Sequence, residues 1–281
     1  MTMSPDEIRD AQRAAWDKFS PGWEKWDGTV LSMLGPIGAV MIEACQVRPD
    51  SVHLDVAAGT GEPGLTIAAI ATQGRVVVTD LAPGMLEVAR KNAAARGLAN
   101  VEFRECDAGQ LPFDDASFDS VTCRMGFMFF PDVEAAAREI ARVLKPGGRV
   151  SAAVWAEPAG NPWVTIPLGA INAELSPPAP PPGAPGMFRC AEPGYVRALF
   201  DKAGLHDIVD RDVAGELDAA GGEQVWAMMT EVAAPIAGPL AGADDAARER
   251  IRASVLEQIE QFRRGDRITI PTAARVTSAT K

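Results

Sequence analysis

Three aspartates follow three short β-rich runs in the first half of the chain. Val52-His53-Leu54-Asp55 leads into Val56-Ala57-Ala58-Gly59-Thr60-Gly61-Glu62-Pro63-Gly64, Val76-Val77-Val78-Thr79 ends on Asp80, and Phe103-Arg104-Glu105-Cys106 ends on Asp107. A glycine loop between a strand and a helix lets a ligand approach backbone where bulkier residues would clash. Gly59, Gly61 and Gly64 also satisfy the G-x-G-x-x-G pattern of folds that seat a pyrophosphate on a helix N-terminus. Asp55 beside that loop suits a cationic or amine-bearing ligand better than a diphosphate, because like charges repel. Asp80 can accept charge-assisted hydrogen bonds from both hydroxyls of a ribose. Asp107 can accept from an adenine amine while apolar neighbours such as Leu111-Pro112-Phe113 sandwich the ring. One such aspartate is an ordinary helix cap or turn residue; three at successive strand ends make a constellation suited to an adenosine group.

The elements that must hold these acids in place alternate from Val52 onward. Strands are expected at Val52–Val56, Arg75–Asp80, Val101–Glu105, Phe118–Cys123 and Arg149–Trp155, with helices near Leu65–Thr72, Met85–Ala95 and Val133–Leu144. That alternation predicts parallel strands joined by crossover helices, a doubly wound α/β sheet. Pro63 suits a first helical turn, Asp132 a cap, and Lys145-Pro146-Gly147-Gly148 an abrupt helix stop. Outside this core, Pro5 to Val47 reads as two helices broken around Pro21-Gly22 and Gly35-Pro36, and Ser176 to Gly183 as an extended proline-rich surface loop. Gly221 to Arg264 reads as a helical insertion with Val255, Ile259 and Phe262 at helical spacing. Tyr195–Lys202 is expected to be a helix, His206–Val213 a strand, and Arg267–Ala279 a terminal strand. The whole is expected to form one domain: a helical cap over 1–48, a cofactor-binding core over 49–156, and acceptor-side insertions with the last strands over 157–281.

A net charge of −11 over 281 residues and a pI near 4.8 would repel a polyphosphate backbone, so nucleic acid is not the expected partner. With 47% apolar residues the chain can bury a sizeable core, and no run is expected to be long enough to cross a bilayer. The segment from Met1 to Ala15 is neither a secretory leader nor a transit peptide, which makes the cytoplasm the default expectation. Cys45, Cys106, Cys123 and Cys190 form no CxxC pair, so reduced thiols are expected and no metal site.

Taken together, Leu54-Asp55-Val56-Ala57-Ala58-Gly59-Thr60-Gly61, Asp80, Asp107, Phe118-Asp119-Ser120-Val121 and Arg142-Val143-Leu144-Lys145-Pro146-Gly147-Gly148 resemble a class I methyltransferase. More narrowly, they resemble the ubiquinone/menaquinone biosynthesis methyltransferase-like group. The resemblance implies S-adenosyl-L-methionine as cofactor and a Rossmann-like seven-stranded sheet whose last strand is antiparallel. It implies that Gly59 and Gly61 contact the methionine portion, Asp80 the ribose and Asp107 the adenine, with Asp55, Ala57, Leu81, Met85, Ala108 and Arg124 completing the cofactor side. Ala57 departs from the family, which usually has the first glycine of the loop there.

Sulfonium methyl transfer is an in-line displacement in which the acceptor attacks a charged electrophile and a neutral leaving group departs, so alignment and exclusion of water matter more than acid/base machinery. The chain has two histidines, His53 and His206, and one tyrosine, Tyr195, all expected to be structural. The expected reactive rim is Arg124-Met125-Gly126-Phe127-Met128-Phe129-Phe130. There Met125 and Gly126 would border the cofactor, Phe127 and Phe129 would line an apolar acceptor pocket, and Arg124 would steer an acidic or phenolate acceptor. Trp16, Trp23, Trp26, Trp155 and Trp163 are expected to wall that pocket or its lid. The expected partner is thus a small, aromatic or lipophilic acceptor, for a monomer or homodimer. A nicotinamide-dependent dehydrogenase and a non-catalytic cofactor-binding module are the alternatives.

Overall fold

A computed structural model describes residues 4–178, 181 and 183–281 of the chain. Ser4 opens the first helix with a capping box: its hydroxyl accepts from Glu7 N at 3.2 Å while Glu7 Oε2 accepts from Ser4 N at 2.7 Å. This helix, α1 (Pro5–Lys25), and the next, α2 (Asp27–Cys45), are not broken where proline and glycine predicted. The chain runs straight through Pro21-Gly22 and Gly35-Pro36 and turns only at Trp26. An interior proline costs about 3 kcal/mol, and packing offsets it. Gly22 lies so near the Glu231 carbonyl that a Cβ there would stand 2.1 Å from its oxygen, and α2 buries Val30, Met33, Leu34, Ile37 and Met41. Contrary to expectation, α2 is long and apolar enough to cross a membrane by length and composition, with 19 residues and a mean hydropathy of 1.5. In this fold it lies against the sheet.

The sheet begins with β1 (Val52–Val56), α3 (Gly64–Ile70), β2 (Arg75–Asp80), α4 (Pro83–Ala95), β3 (Val101–Glu105), β4 (Phe118–Arg124), α5 (Val133–Val143) and β5 (Leu144–Trp155). These five strands are parallel, which requires crossover connections rather than tight hairpins between them. Then follow α6 (Pro162–Leu175), α7 (Tyr195–Lys202), β6 (His206–Ala219), α8 (Gly222–Val232), α9 (Ala234–Ala241), α10 (Asp245–Ile259), the two-residue β7 (Arg263–Arg264) and β8 (Arg267–Thr280). The strand order is β3-β2-β1-β4-β5-β8-β6, with β8 antiparallel to both neighbours and β7 paired to β8 off this path. The expected seven-stranded Rossmann-like sheet with an antiparallel last strand is thus present, plus one short strand that gave no sequence signal.

Two boundaries differ for clear reasons. Lys145-Pro146-Gly147-Gly148 ends the helix but belongs to β5, entering through a register shift opposite Phe118 and Ser120. β6 runs to Ala219 rather than Val213 because β8 pairs with it as far as Ala219↔Ile268. In the helical insertion Val255 and Ile259 are buried, as their spacing predicted. Of the proline-rich stretch, Ala179, Pro180 and Pro182 lie outside the described residues, as do Met1–Met3 of the N-terminal segment. All four cysteines are unpaired, and burial pushes the Cys45 thiol up to about 12 and those of Cys106 and Cys190 up to about 11.

Candidate active site

Strand order reverses between β1 and β4, and ligands of open α/β sheets bind at the carboxyl ends of strands beside such a switch point. Asp55 stands there, but it is fully buried and serves the protein. Its Oδ2 accepts from Gly64 N at 2.8 Å and its Oδ1 from Thr122 Oγ1 at 2.7 Å, so it fastens β1 to the start of α3 and to β4. A Cβ at Gly64 would lie 2.8 Å from Asp55 Oδ2, which is why that position takes glycine. Behind Thr122 the chain of polar contacts continues to His53 Nε2 at 2.9 Å and from His53 Nδ1 to Ser120 Oγ at 2.7 Å. With the Thr122 hydroxyl proton committed to Asp55, the His53 proton belongs on Nε2, and Nδ1 accepts from Ser120. Burial pushes Asp55 up to about 7, against the hydrogen bonds from Thr122 and Gly64 and the charge of Arg124, and holds His53 neutral at about 3. The expectation that Asp55 faces a ligand directly is therefore corrected: it is a bolt under the loop.

The loop itself is open. Ala57 has φ +53 and Gly59 φ +57, and no atom lies within 4 Å of where a Gly59 Cβ would stand. Asp80, 9% exposed, accepts from Gly59 N and from Ala82 N, both at 2.9 Å, which leaves one lone pair on each oxygen. Burial is the largest influence on this carboxyl and raises its pKa. Asp107 is half-buried and accepts from Gly109 N at 2.8 Å, with Leu81 half-buried and Ala108 buried nearby in sequence. Space beside Gly59, with spare acceptors on Asp80 and Asp107, fits the adenosyl group of the expected cofactor. Met85 is buried at 2% exposure and is no part of an open wall.

Across these strand ends lies α1. Arg13 pairs with Glu105, Arg9 Nη1 is 3.8 Å from Asp107 Oδ2, and Asp17 Oδ1 accepts from Gly84 N at 2.8 Å. This cover was missed as a functional feature, although Arg9, Arg13 and Asp17 recur at helical spacing and so share one face of α1. Two open grooves, of about 340 and 320 Å³, lie elsewhere, lined by α8–α10 and by the start of α5 with α7.

The rim after β4 divides. Met125, at φ +61, is half-buried and Gly126 is packed so closely that a Cβ would meet Cys123 Sγ at 2.7 Å and Ala57 Cβ at 2.9 Å. Phe129 stacks edge-on against Trp16 at 5.1 Å, and Trp16 against Trp23 at 6.0 Å. Phe127 instead is fully buried, 5.9 Å from Phe200 on α7, so it is core rather than pocket wall. Trp155 and Trp163 are likewise core, each 4% exposed and 5.1 Å apart. Trp23 and Trp26 tie α1 to α8 through Val232 O at 3.1 Å and Glu231 Oε2 at 2.9 Å. Arg124 is buried at 9% exposure at the end of β4.

Residues 54–152 match the family described as methyltransferase domain. An uncharacterized protein of Mycobacterium bovis is 38% identical over 47% of this chain and 48% of its own length. The ubiquinone/menaquinone biosynthesis C-methyltransferase UbiE of Brucella anthropi is 40% identical over 47% of this chain and 48% of its own length. The chain thus spans about half the length of the curated relatives it matches. Among solved structures, the YcgJ protein of Bacillus subtilis aligns with a TM-score of 0.56 at 25% identity, covering 87% of this chain and 97% of that one. The sheet order and the match over residues 54–152 agree: this part of the chain is similar to the methyltransferase domain family.

Proposed function

We propose that this protein transfers a methyl group from S-adenosylmethionine to a small aromatic or lipophilic acceptor by in-line displacement. The observation that carries the reading is the open space at Gly59 beside Asp80, and the acceptor is assigned to the Met125–Phe129 rim, where Phe129 stacks against Trp16. S-adenosylmethionine, when bound, supplies a methyl group already activated on a positively charged sulfur. The chain's part is then to hold the ribose on Asp80 and the adenine amine on Asp107, and to keep water out with α1 and its tryptophans. Neither histidine stands at the rim: His53 is sealed in the sheet, and His206 is exposed at the start of β6, 3.0 Å from Asp207. With no histidine there, an acceptor that brings its own reactive nucleophile, such as an electron-rich ring carbon, a phenolate or a thiolate, suits the site. The name of the Brucella anthropi relative, a quinone C-methyltransferase, supports an acceptor of this kind.

Calorimetry on the full chain with S-adenosylmethionine, S-adenosylhomocysteine and a nicotinamide dinucleotide tests the donor. Binding of the two adenosyl compounds alone is expected, and binding of the dinucleotide alone would overturn the reading. Release of labelled methyl against a panel of phenols, quinols and polar amines tests the acceptor. Turnover confined to polar amines, or none at all despite tight donor binding, would count against it.

A further inference from the structure

We infer that Arg142, through its pair with Glu139, positions the loop that carries Asp107 and thereby sets the protein's preference for adenine over a 6-oxo purine. The inference rests on the donor reading above and adds to it a positioning residue outside the cleft. Residues 106–117, which join β3 to β4, contain neither helix nor strand. Such a loop has no ladder of its own, and ordering it is costly in conformational entropy unless neighbouring elements hold it. Arg142 supplies that hold. It stands on α5 one helical turn after Glu139, and all five N–H groups of its guanidinium are used. Nε donates to Glu139 Oε1 and Nη2 to Glu139 Oε2, both at 2.8 Å. Nη2 also donates to Leu111 O at 2.9 Å, and Nη1 donates to Phe113 O at 2.7 Å and to Asp115 Oδ1 at 2.8 Å. Glu139 Oε2 in turn accepts from Leu111 N at 2.8 Å. One ion pair thus bonds both main-chain groups of Leu111, as a neighbouring strand would, and only a planar fork can serve so many acceptors in fixed directions.

The path from this hold to Asp107 is short. Asp107 Oδ1 accepts from Gly109 N at 2.8 Å and Asp107 O from Gln110 N at 3.0 Å, so the turn that aims the Asp107 carboxyl ends one residue before Leu111. α5 packs on the same turn: a Cβ on Gly109 would lie 3.8 Å from Ala135 Cβ and 3.4 Å from Asp107 Oδ1. Beyond Leu111, Phe113 stands edge-on against the buried Phe118 at 5.1 Å, with the Arg104 guanidinium 5.3 Å from its ring. Arg142 O and Val143 O then accept from Ala116 N at 3.1 Å and Ser117 N at 2.8 Å. From Leu111 to Ser117 the loop is therefore fastened to the second half of α5, and a hydrogen bond from Arg142 holds the Glu139 carboxyl below the usual carboxylate range. Asp107 Oδ2, 3.8 Å from Arg9 Nη1, is left to accept from a ligand. A carboxylate fixed in this way accepts from the 6-amino group of adenine and meets the 6-oxo group of hypoxanthine acceptor to acceptor. On a slack loop the same carboxylate would turn aside from the oxo group, and the amine would lose a bond whose geometry had been set in advance.

The test compares two ligands on the full chain by calorimetry: S-adenosylhomocysteine and S-inosylhomocysteine, which has an oxo group in place of the 6-amine. The wild-type chain is expected to prefer the first by about tenfold or more. In Arg142→Gln and in Glu139→Gln that preference is expected to shrink by about 3- to 10-fold, through loss of affinity for the adenosyl compound. A role confined to stability would lower the melting temperature and leave the ratio of affinities unchanged, and that result overturns the inference while the donor reading stands. Equal affinity of the wild-type chain for the two ligands overturns it as well. A wild-type chain that binds neither ligand overturns both readings. Should Arg142→Gln fail to fold by circular dichroism, the ratio is read from Glu139→Gln, whose side chain keeps its shape and exchanges one acceptor oxygen for a donor.

Discussion

Asp17 Oδ1 accepts a hydrogen bond from Gly84 N at 2.8 Å, joining α1 to the first turn of α4 across 67 residues of sequence. The residue at the cap position of α4, Ala82, has no side chain to offer, so α1 supplies the carboxylate that the helix start requires. The contact is close: a Cβ on Gly84 would stand 2.6 Å from Ser20 Oγ. Because α4 follows Asp80 directly, the helix over these strand ends is fastened beside the strand end that would hold a ribose, and opening of this contact is expected to speed donor exchange.

Replacing Asp17 by alanine removes the borrowed cap, and a loss of about 1 kcal/mol in unfolding free energy is expected. Asp17→Asn, itself a good cap, should retain most of it. Stopped-flow displacement of S-adenosylhomocysteine should show faster release from the alanine variant than from the asparagine variant. Identical release rates for both variants and wild type would mean that α1 does not gate the cleft.

Arg13 with Glu105 and Arg9 near Asp107 hold the outer half of the same helix by ion pairs open to solvent. Such pairs contribute little individually and weaken as salt shortens the screening length from about 10 Å at 0.1 M to about 3 Å at 1 M. Amide exchange across α1 should therefore quicken with added sodium chloride. In an Arg9→Ala, Arg13→Ala double variant it should start fast and respond little to salt. A salt response that survives in the variant would assign the hold to Trp16 and its aromatic neighbours instead.

Much of this fold was legible in the sequence because parallel strands buried on both faces are short, β-branched and punctuated by glycine. Val76–Val78 and the Val52–Val56 run carry that signature, and their limits match the structure. The positions of the glycine loop and of Asp80 after the second strand were legible for the same local reason. Asp55 was misread because its partners, Thr122 and Gly64, come from two other elements, and strand-end position alone cannot tell a ligand contact from a buried bolt. Phe127 failed similarly: only the docking of α7 decides that it meets Phe200 rather than solvent. The close packing of Gly22 in α1 is against Glu231, far along the chain, which no local pattern can show.

Ala57 occupies the position where the resembling family usually has glycine, and its backbone is left-handed, φ +53. An L-residue there bears a penalty of roughly 1–2 kcal/mol, of which glycine's larger unfolded-state freedom would take back about 0.5–1. Ala57→Gly should thus stabilise the protein by roughly 0.5–1 kcal/mol, seen as a higher melting temperature in calorimetry. A lower one would show that the Ala57 methyl group, close to Gly126, is a needed packing contact.

Asp55 and His53, linked through Thr122, respond to pH with opposite signs. Asp55 keeps its proton up to about 7 in the fold, whereas an aspartate in the unfolded chain releases it near 4. Between those values the native state binds more protons than the unfolded one, so the stability this group contributes falls as pH rises. His53 is held at about 3, whereas an unfolded histidine takes up its proton near 6.5. Between those values the unfolded chain binds more, so its contribution to stability rises with pH. Each slope is at most about 1.4 kcal/mol per pH unit, and over roughly pH 4 to 6.5 they oppose one another. Relative to wild type, Asp55→Asn should make stability climb more steeply across that window and His53→Gln should make it decline, as read from urea midpoints at several pH values. Parallel profiles for all three proteins would mean that neither group changes its proton affinity on folding, and the buried polar chain would then have no part in the pH response.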